Sequence, residues 1–239
     1  IITLMLWQII VFLTIIISGI FLYFTCSIPI DINTFDSGKP GKHVLLIGGT
    51  HGDEPAGSYA LLVLQNLIKK GVLKIKKGKI TIIHNVNPCG LYFDNRYYSV
   101  IGKKIDLNRM YGKGFPINRK IEEIIPKSDL IIDFHEGWGY MIRKEGSIGS
   151  SITYLNVPFK EKYKIINKLN SKVTDPTKKW IINDIKLEVP HSLRELAMKN
   201  KKSYMLVETT GQKNVQPMHI RIRQSNTIIT HFLKLYGVL

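Results

Sequence analysis

Two histidines and two glutamates stand at the ends of apolar β-type runs in this sequence, where their side chains can meet at one edge of a sheet. The run His43–Gly48 (HVLLIG) leads into Gly-Gly-Thr-His51-Gly-Asp53-Glu54-Pro55. His51 and Glu54 lie three residues apart, between a strand and a helix whose first turn suits Pro55. An imidazole and a carboxylate at this spacing can both reach one ion. The run DLIIDF over 129–134 leads into His135-Glu136-Gly137 and adds a second imidazole. Two histidines and one glutamate with an open fourth position have the make-up of a catalytic zinc site, not a structural one. Zinc held this way lowers the pKa of bound water to about 7. Glu136 is the alternative to Glu54 as the carboxylate donor.

The run YMLVE over 204–208 brings Glu208 to the same edge. A carboxylate beside activated water can serve as general base and then protonate the leaving group. Residues 87–117 form a polar, Gly-rich stretch, too long for a mere connector. It carries Arg96 and the run Asp106-Leu107-Asn108-Arg109. Asn108 and Arg109 can clamp a substrate carboxylate, and an arginine near the metal can stabilise an oxyanion. Each piece alone has an ordinary explanation: a satisfied structural histidine, a turn with a surface charge, a helix cap. It is the delivery of all of them to one edge that argues for catalysis.

The elements that must position these groups follow from periodicity. Strands are expected at 43–48, 79–86, 129–134, 151–155 and 204–208. Helices are expected at 54–70, 160–172, 192–200 and 217–236, the last ending at Gly237. Strands alternating with helices predict an α/β domain with a mostly parallel or mixed sheet and helices on both faces. In such sheets ligands bind outside the carboxyl ends of the strands.

Residues 4–24 (LMLWQIIVFLTIIISGIFLYF) are almost wholly apolar, long enough to span a bilayer, with Trp7 and Tyr23 near the ends. The expected organisation is therefore a transmembrane anchor over 1–26, a linker over 27–41 and a catalytic domain over 42–239. Cys26 falls at the membrane edge. The chain has 239 residues, 44% hydrophobic and 10% aromatic, which excludes general disorder. Its only cysteines, Cys26 and Cys89, exclude a disulfide framework and a Cys-rich zinc finger. The net charge of +16 raises nucleic acid or anionic lipid as partners. The lysines fall in short runs without interleaved aromatics, so no nucleic acid is expected.

At the motifs above, the chain resembles the zinc carboxypeptidase clan and within it the succinylglutamate desuccinylase/aspartoacylase family. GGTHGDEPAG (48–57) is similar to the family's first metal motif. NP (87–88) with DLNR (106–109) is similar to the substrate-binding loop, DFHEG (133–137) to the segment with the third ligand, and VET (207–209) to the catalytic-glutamate strand. The resemblance spans about 43–235. It implies His51, Glu54 and His135 as ligands of one zinc ion, Glu208 as base and acid, and Asn108 and Arg109 as binders of the substrate carboxylate. It further implies Asp106 as the group orienting a ligand histidine, and Arg96 as the oxyanion arginine. The mobile tyrosine of carboxypeptidases has two candidates, Tyr140 and Tyr154. The family's usual C-terminal β-domain has no counterpart after the last helix, so an open cleft is expected. The expected activity is a membrane-anchored zinc hydrolase cleaving an amide bond of a small-molecule or peptide substrate with a free carboxylate. The alternatives are a carboxypeptidase acting on peptides or cell-wall peptides, an inactive metal-binding recognition module, and a basic surface binder with a vestigial site.

Overall fold

The computed structural model describes residues 2–24, 28–100, 102–142, 146–184 and 189–239. Helix α1 (Ile2–Phe24) comes first. Its segment Thr3–Ile20 has a mean hydropathy of 2.2 and is long and apolar enough to cross a membrane. Large side chains such as Trp7 and Phe12 are exposed along it. Cys26 lies outside the described residues.

The remainder is built on one seven-stranded sheet. In chain order the strands and helices are β1 (Asn33–Asp36), β2 (His43–Gly48), α2 (Pro55–Lys69), β3 (Lys79–Ile83), α3 (Pro88–Tyr92), β4 (Tyr98–Val100), β5 (Lys103–Ile105), α4 (Pro116–Glu122), β6 (Leu130–Gly137), β7 (Ser151–Leu155), α5 (Phe159–Asn170), β8 (Ile181–Ile182), α6 (Leu193–Lys199), β9 (Ser203–Thr210) and α7 (Met218–Leu235). The sheet order is β1-β3-β2-β6-β9-β7-β8, with β4 and β5 forming a separate hairpin. The four central strands β3, β2, β6 and β9 are parallel, whereas β1 pairs antiparallel with β3, β7 pairs antiparallel with β9, and β8 runs parallel to β7. The sheet is therefore mixed with a parallel centre.

Each central strand is apolar because it is covered twice. Val44, Leu46, Ile132, Phe134, Met205 and Val207 pack with residues of α2, α5 and α7. The alternate residues Leu45, Ile47, Ile131 and Tyr204 pack on the other face with residues of α4 and α6. A strand covered on both faces reads as a continuous hydrophobic run, which is what makes β2 legible.

Three expectations need correction. The stretch expected as linker contains β1, which pairs with β3 from Asn33↔Ile82 to Asp36↔Lys79, and Ile30 is already buried. The folded domain thus begins nearer residue 30 than 42. The third core strand extends to Gly137, because β6 stays in register with β9 through His135↔Glu208 to Gly137↔Thr210. The segment DFHEG is therefore within the strand, not beyond it. The polar stretch 87–117 is not an open loop. It holds α3, the β4–β5 hairpin and a short 3-10 turn at Leu107–Arg109. Side chains organise it locally: Gly90 N donates to Asn87 Oδ1 (2.9 Å), Asn108 N to Asp106 Oδ1 (2.9 Å), and Asn118 Nδ2 to the Leu107 carbonyl (2.9 Å).

Removal of residues 1–39 should lower the melting temperature relative to removal of 1–27. Burial of one Ile side chain is worth about 1.5–3 kcal/mol, and each kcal/mol moves Tm by roughly 2–4 °C at this size. A loss of at least about 3 °C is expected by calorimetry. Equal melting temperatures would show that β1 adds nothing to the domain.

Candidate metal centre and active-site cavity

The carboxyl ends of β2, β6 and β9 deliver the predicted groups to one place. After β2, Gly49 turns the chain with φ +65°, and a Cβ there would meet Ser58 Oγ at 2.4 Å. Glu54 is the N-cap residue of α2 and Pro55 its first residue. Gly57 lets α2 lie directly on β6, since a Cβ would come within 2.3 Å of Phe134 Cβ. This close approach brings Glu54 against the end of β6. On β6, Asp133 and His135 share one face by the two-residue period of a strand. On β9, Tyr204, Leu206 and Glu208 share the corresponding face, and Glu208 is the register partner of His135.

His51, Glu54 and His135 are all buried, and one ligand atom from each lies within 4.8 Å of the others. His51 Nδ1 is 2.9 Å from Glu54 Oε1, and His135 Nδ1 is 2.7 Å from Glu54 Oε2. The two Nδ1 atoms face each other at 3.1 Å. On the far side of the His51 ring, Nε2 is 3.1 Å from Asp106 Oδ1. A carboxylate there fixes the proton on Nε2 and leaves the Nδ1 lone pair for an ion. Two imidazole nitrogens and a carboxylate converging in a buried space satisfy one another best around a shared cation. The residues present therefore fit a divalent transition metal with N/O ligands.

Without the cation the same convergence appears as shifted protonation. Burial opposes charge on both imidazoles. Glu54 and Asp106 nonetheless raise the pKa of His51, and Asp133 and Glu54 raise that of His135 well above its ordinary value. Burial also opposes ionisation of Glu54, but the two histidines hold it well below the usual carboxylate range. Glu208 shows the opposite balance. Burial, with the nearby negative charges of Glu54 and Asp133, pushes its carboxyl well above the ordinary value against the pull of His135.

Asp106 acts as a local hub. Besides His51 it accepts from Asn108 N through Oδ1, and Arg96 Nη2 donates to its Oδ2 (3.2 Å). Burial works against its charge, but His51 and Arg96 hold its carboxyl low. Arg96 also donates through Nη1 to Glu54 Oε1 (3.0 Å), and its side chain is only 31% exposed. Asn108 Oδ1 accepts from Leu193 N at the start of α6 (3.0 Å), leaving its amide nitrogen as the remaining donor. Arg109 is exposed, and its Nη1 donates to the Asn108 carbonyl (2.7 Å).

Glu136, the alternative ligand, is committed elsewhere. Its Oε1 accepts from Ala56 N (2.5 Å), supplying the acceptor at the N-terminus of α2 that Glu54 does not provide. Its Oε2 accepts from the buried Arg221 of α7. Burial raises its pKa to about 7 even so. Tyr140 and Tyr154 are both buried, and neither lines the cavity described next. Tyr154 belongs to the opposite face of β7, and it is Thr153 that reaches the site.

A cavity of about 270 Å³ opens over the centre, lined by all three candidate ligands together with Arg96, Asn108, Arg109 and Glu208. It also takes in residues that sequence reasoning missed, among them Trp138, Thr153, Asn183, Arg194 and Gln212. Gln212 Nε2 donates to Glu54 Oε1 (3.1 Å). No motif marks it, because its place is decided by the chain reversal after β9. The donor set predicts one transition-metal ion per chain. His51→Ala or His135→Ala should abolish binding, since a two-donor site loses most of its affinity. Full metal stoichiometry in His51→Ala would overturn the ligand assignment.

The arrangement has relatives. The Succinylglutamate desuccinylase/Aspartoacylase catalytic domain family model matches residues 40–141. No curated protein matches the chain by sequence. Among solved structures, product-bound cell shape determinant Csd4 from Helicobacter pylori superposes with a TM-score of 0.70 at 19% identity, covering 88% of this chain and 56% of that one. The mDAP-bound form of Helicobacter pylori Csd4, a D,L-carboxypeptidase, gives 0.67 at 20%, covering 83% and 52%. A succinylglutamate desuccinylase/aspartoacylase from Rhodobacter sphaeroides gives 0.63 at 20%, covering 89% and 60%. The chain thus spans a little over half the length of these proteins. The chain has a zinc carboxypeptidase-like fold, and its residues 40–141 match the succinylglutamate desuccinylase/aspartoacylase catalytic domain.

Proposed function

We propose that this chain is a zinc-dependent hydrolase that cleaves an amide bond of a substrate bearing a free carboxylate, in the manner of an N-acyl amino acid deacylase. The observation that carries the reading is the convergence of His51, Glu54 and His135 on one point, with Glu208 in register beside it. A bound zinc ion supplies Lewis-acid chemistry, activating water near neutral pH and polarising a carbonyl. His51, Glu54 and His135 hold that ion. Glu208 accepts the proton given up by the attacking water and passes it to the leaving nitrogen. Arg96, at the cavity wall, offsets the negative charge that develops on the carbonyl oxygen. Asn108 and Arg109 bind the substrate carboxylate and set which bond meets the water. Asp106 orients His51 and ties both arginine-bearing segments to the ligand set.

A second reading is a carboxypeptidase acting on peptides. It is supported by the similarity to Csd4, described as a D,L-carboxypeptidase and also seen with a bound tripeptide. The chemistry is shared and the leaving group differs. The deciding experiment compares N-acyl amino acids with peptides whose C-termini are free or amidated, on zinc-loaded protein. Hydrolysis is expected to require the free carboxylate, and Arg109→Ala should lower kcat/KM on carboxylate substrates by at least about tenfold. Equal losses on amidated substrates would mean that Arg109 does not read the carboxylate.

Glu208→Gln should keep the metal and the fold, being nearly isosteric, and still lower kcat by about 10²–10⁴-fold. Turnover within a factor of a few of the native enzyme would remove Glu208 from the mechanism. We also propose that α1 is a single membrane span, supported by its length and apolar character. The full chain should then stay with membranes through a high-salt wash, whereas release by salt would point to surface electrostatics of the +16 charge.

A further inference from the structure

His135 is held from behind by groups that the proposed mechanism does not use. Its Nδ1 faces Glu54 and His51, while its Nε2 lies 3.3 Å from Asp133 Oδ1. This is ion-pair distance without the alignment of a hydrogen bond, and neither atom has another hydrogen-bond partner among the described residues. Asp133 is fully buried at 0% exposure. A carboxylate in that position is costly to keep unless something anchors it. The anchor is Tyr204, whose hydroxyl donates to Asp133 Oδ2 at 2.9 Å. Tyr204 is itself 1% exposed and packs with Leu45, Ile131 and the α6 residues Leu193 and Ala197. Its ring is therefore immobilised by the core.

We infer that Tyr204 is a positioning residue for the metal site: through Asp133 it sets the ring angle of His135 and keeps the Nδ1 lone pair aimed at the ion. The inference rests on the zinc reading proposed above and extends it. The sheet register explains why these residues meet. Asp133 and His135 alternate onto one face of β6, and Tyr204, the partner of Ile131 on β9, lies diagonally two residues upstream of Asp133. A rigid aromatic in the core thus reaches the metal centre through one carboxylate. The other ligand histidine is braced differently, by Asp106 on a partly exposed turn with Arg96 behind it. One imidazole is braced from the core and the other from the substrate-binding segment.

The test is zinc affinity measured by chelator competition, alongside the melting temperature of the metal-free protein. Tyr204→Phe removes only the hydroxyl. Loss of such an outer partner is expected to raise the zinc Kd by about 10- to 100-fold, and Asp133→Asn by at least as much. Tyr154→Phe is the control. Tyr154 is also buried and its hydroxyl has no hydrogen-bond partner among the described residues, but it lies in the core on the face of the sheet away from the site, so its zinc Kd should stay within about threefold of the native value, a bound well below that expected loss. A merely structural Tyr204 would lower the metal-free melting temperature and leave the zinc Kd unchanged, and that result overturns the inference. If Tyr204→Phe does not fold, Asp133→Asn decides on the same scale. A native protein that binds no zinc would overturn the reading of the site itself, and this inference with it.

Discussion

Glu54 is a carboxylate buried to 3% exposure beside two buried imidazoles, and the rest of the site is arranged to make that tolerable. A charge removed from water costs several kcal/mol unless partners replace the lost hydration. Glu54 receives His51, Arg96 and Gln212 at one oxygen, and His135 with the Glu136 backbone N–H at the other. These contacts come from the β2–α2 turn, the polar stretch before β4, the end of β6 and the chain after β9. Satisfying one buried carboxylate therefore pins four separate segments to one another. A metal ion in the same place would use the same convergence, since it too needs several donors held close against their mutual repulsion.

The neighbouring carboxylates show how position on a strand separates roles. Glu136 and Glu208 both lie at the carboxyl edge of the sheet, and both are buried. Glu136 is neighbour to a ligand in sequence, but the alternation of a strand turns it to the other face, toward the first turn of α2 and Arg221. There it completes a helix end and pairs with a buried guanidinium. Glu208 sits on the same face as His135 and lines the cavity, and among the described residues no guanidinium or helix terminus donates a hydrogen bond to it. A carboxylate left uncommitted beside the site is available for proton transfer. One that is doubly bonded is not.

Close approach is the second constraint. The distance from Glu54 to His135 depends on α2 resting directly on β6, which Gly57 permits opposite Phe134. The turn after β2 depends on the left-handed conformation of Gly49. Neither glycine does chemistry. Both set whether His51, Glu54 and His135 converge or lie several ångströms apart.

The sequence by itself determined the parts whose physics is local. The strand runs 43–48 and 204–208 are read from their continuous apolar character, α2 from its periodicity and Pro55, and the two candidate metal-binding histidines from residue types at strand ends. These could be read because hydrophobic period, proline placement and donor chemistry are properties of neighbouring residues. Tertiary structure decided the rest. Whether Glu54 or Glu136 joins the two histidines depends on strand pleat and on Arg221, 85 residues away along the chain from Glu136. The extension of β6 through its polar residues depends on pairing with β9, and the order within 87–117 depends on Asn and Asp side chains capping short turns. Gln212 and the Tyr204–Asp133 contact carry no local signal at all, because each is made by segments distant in sequence that only the sheet order brings together.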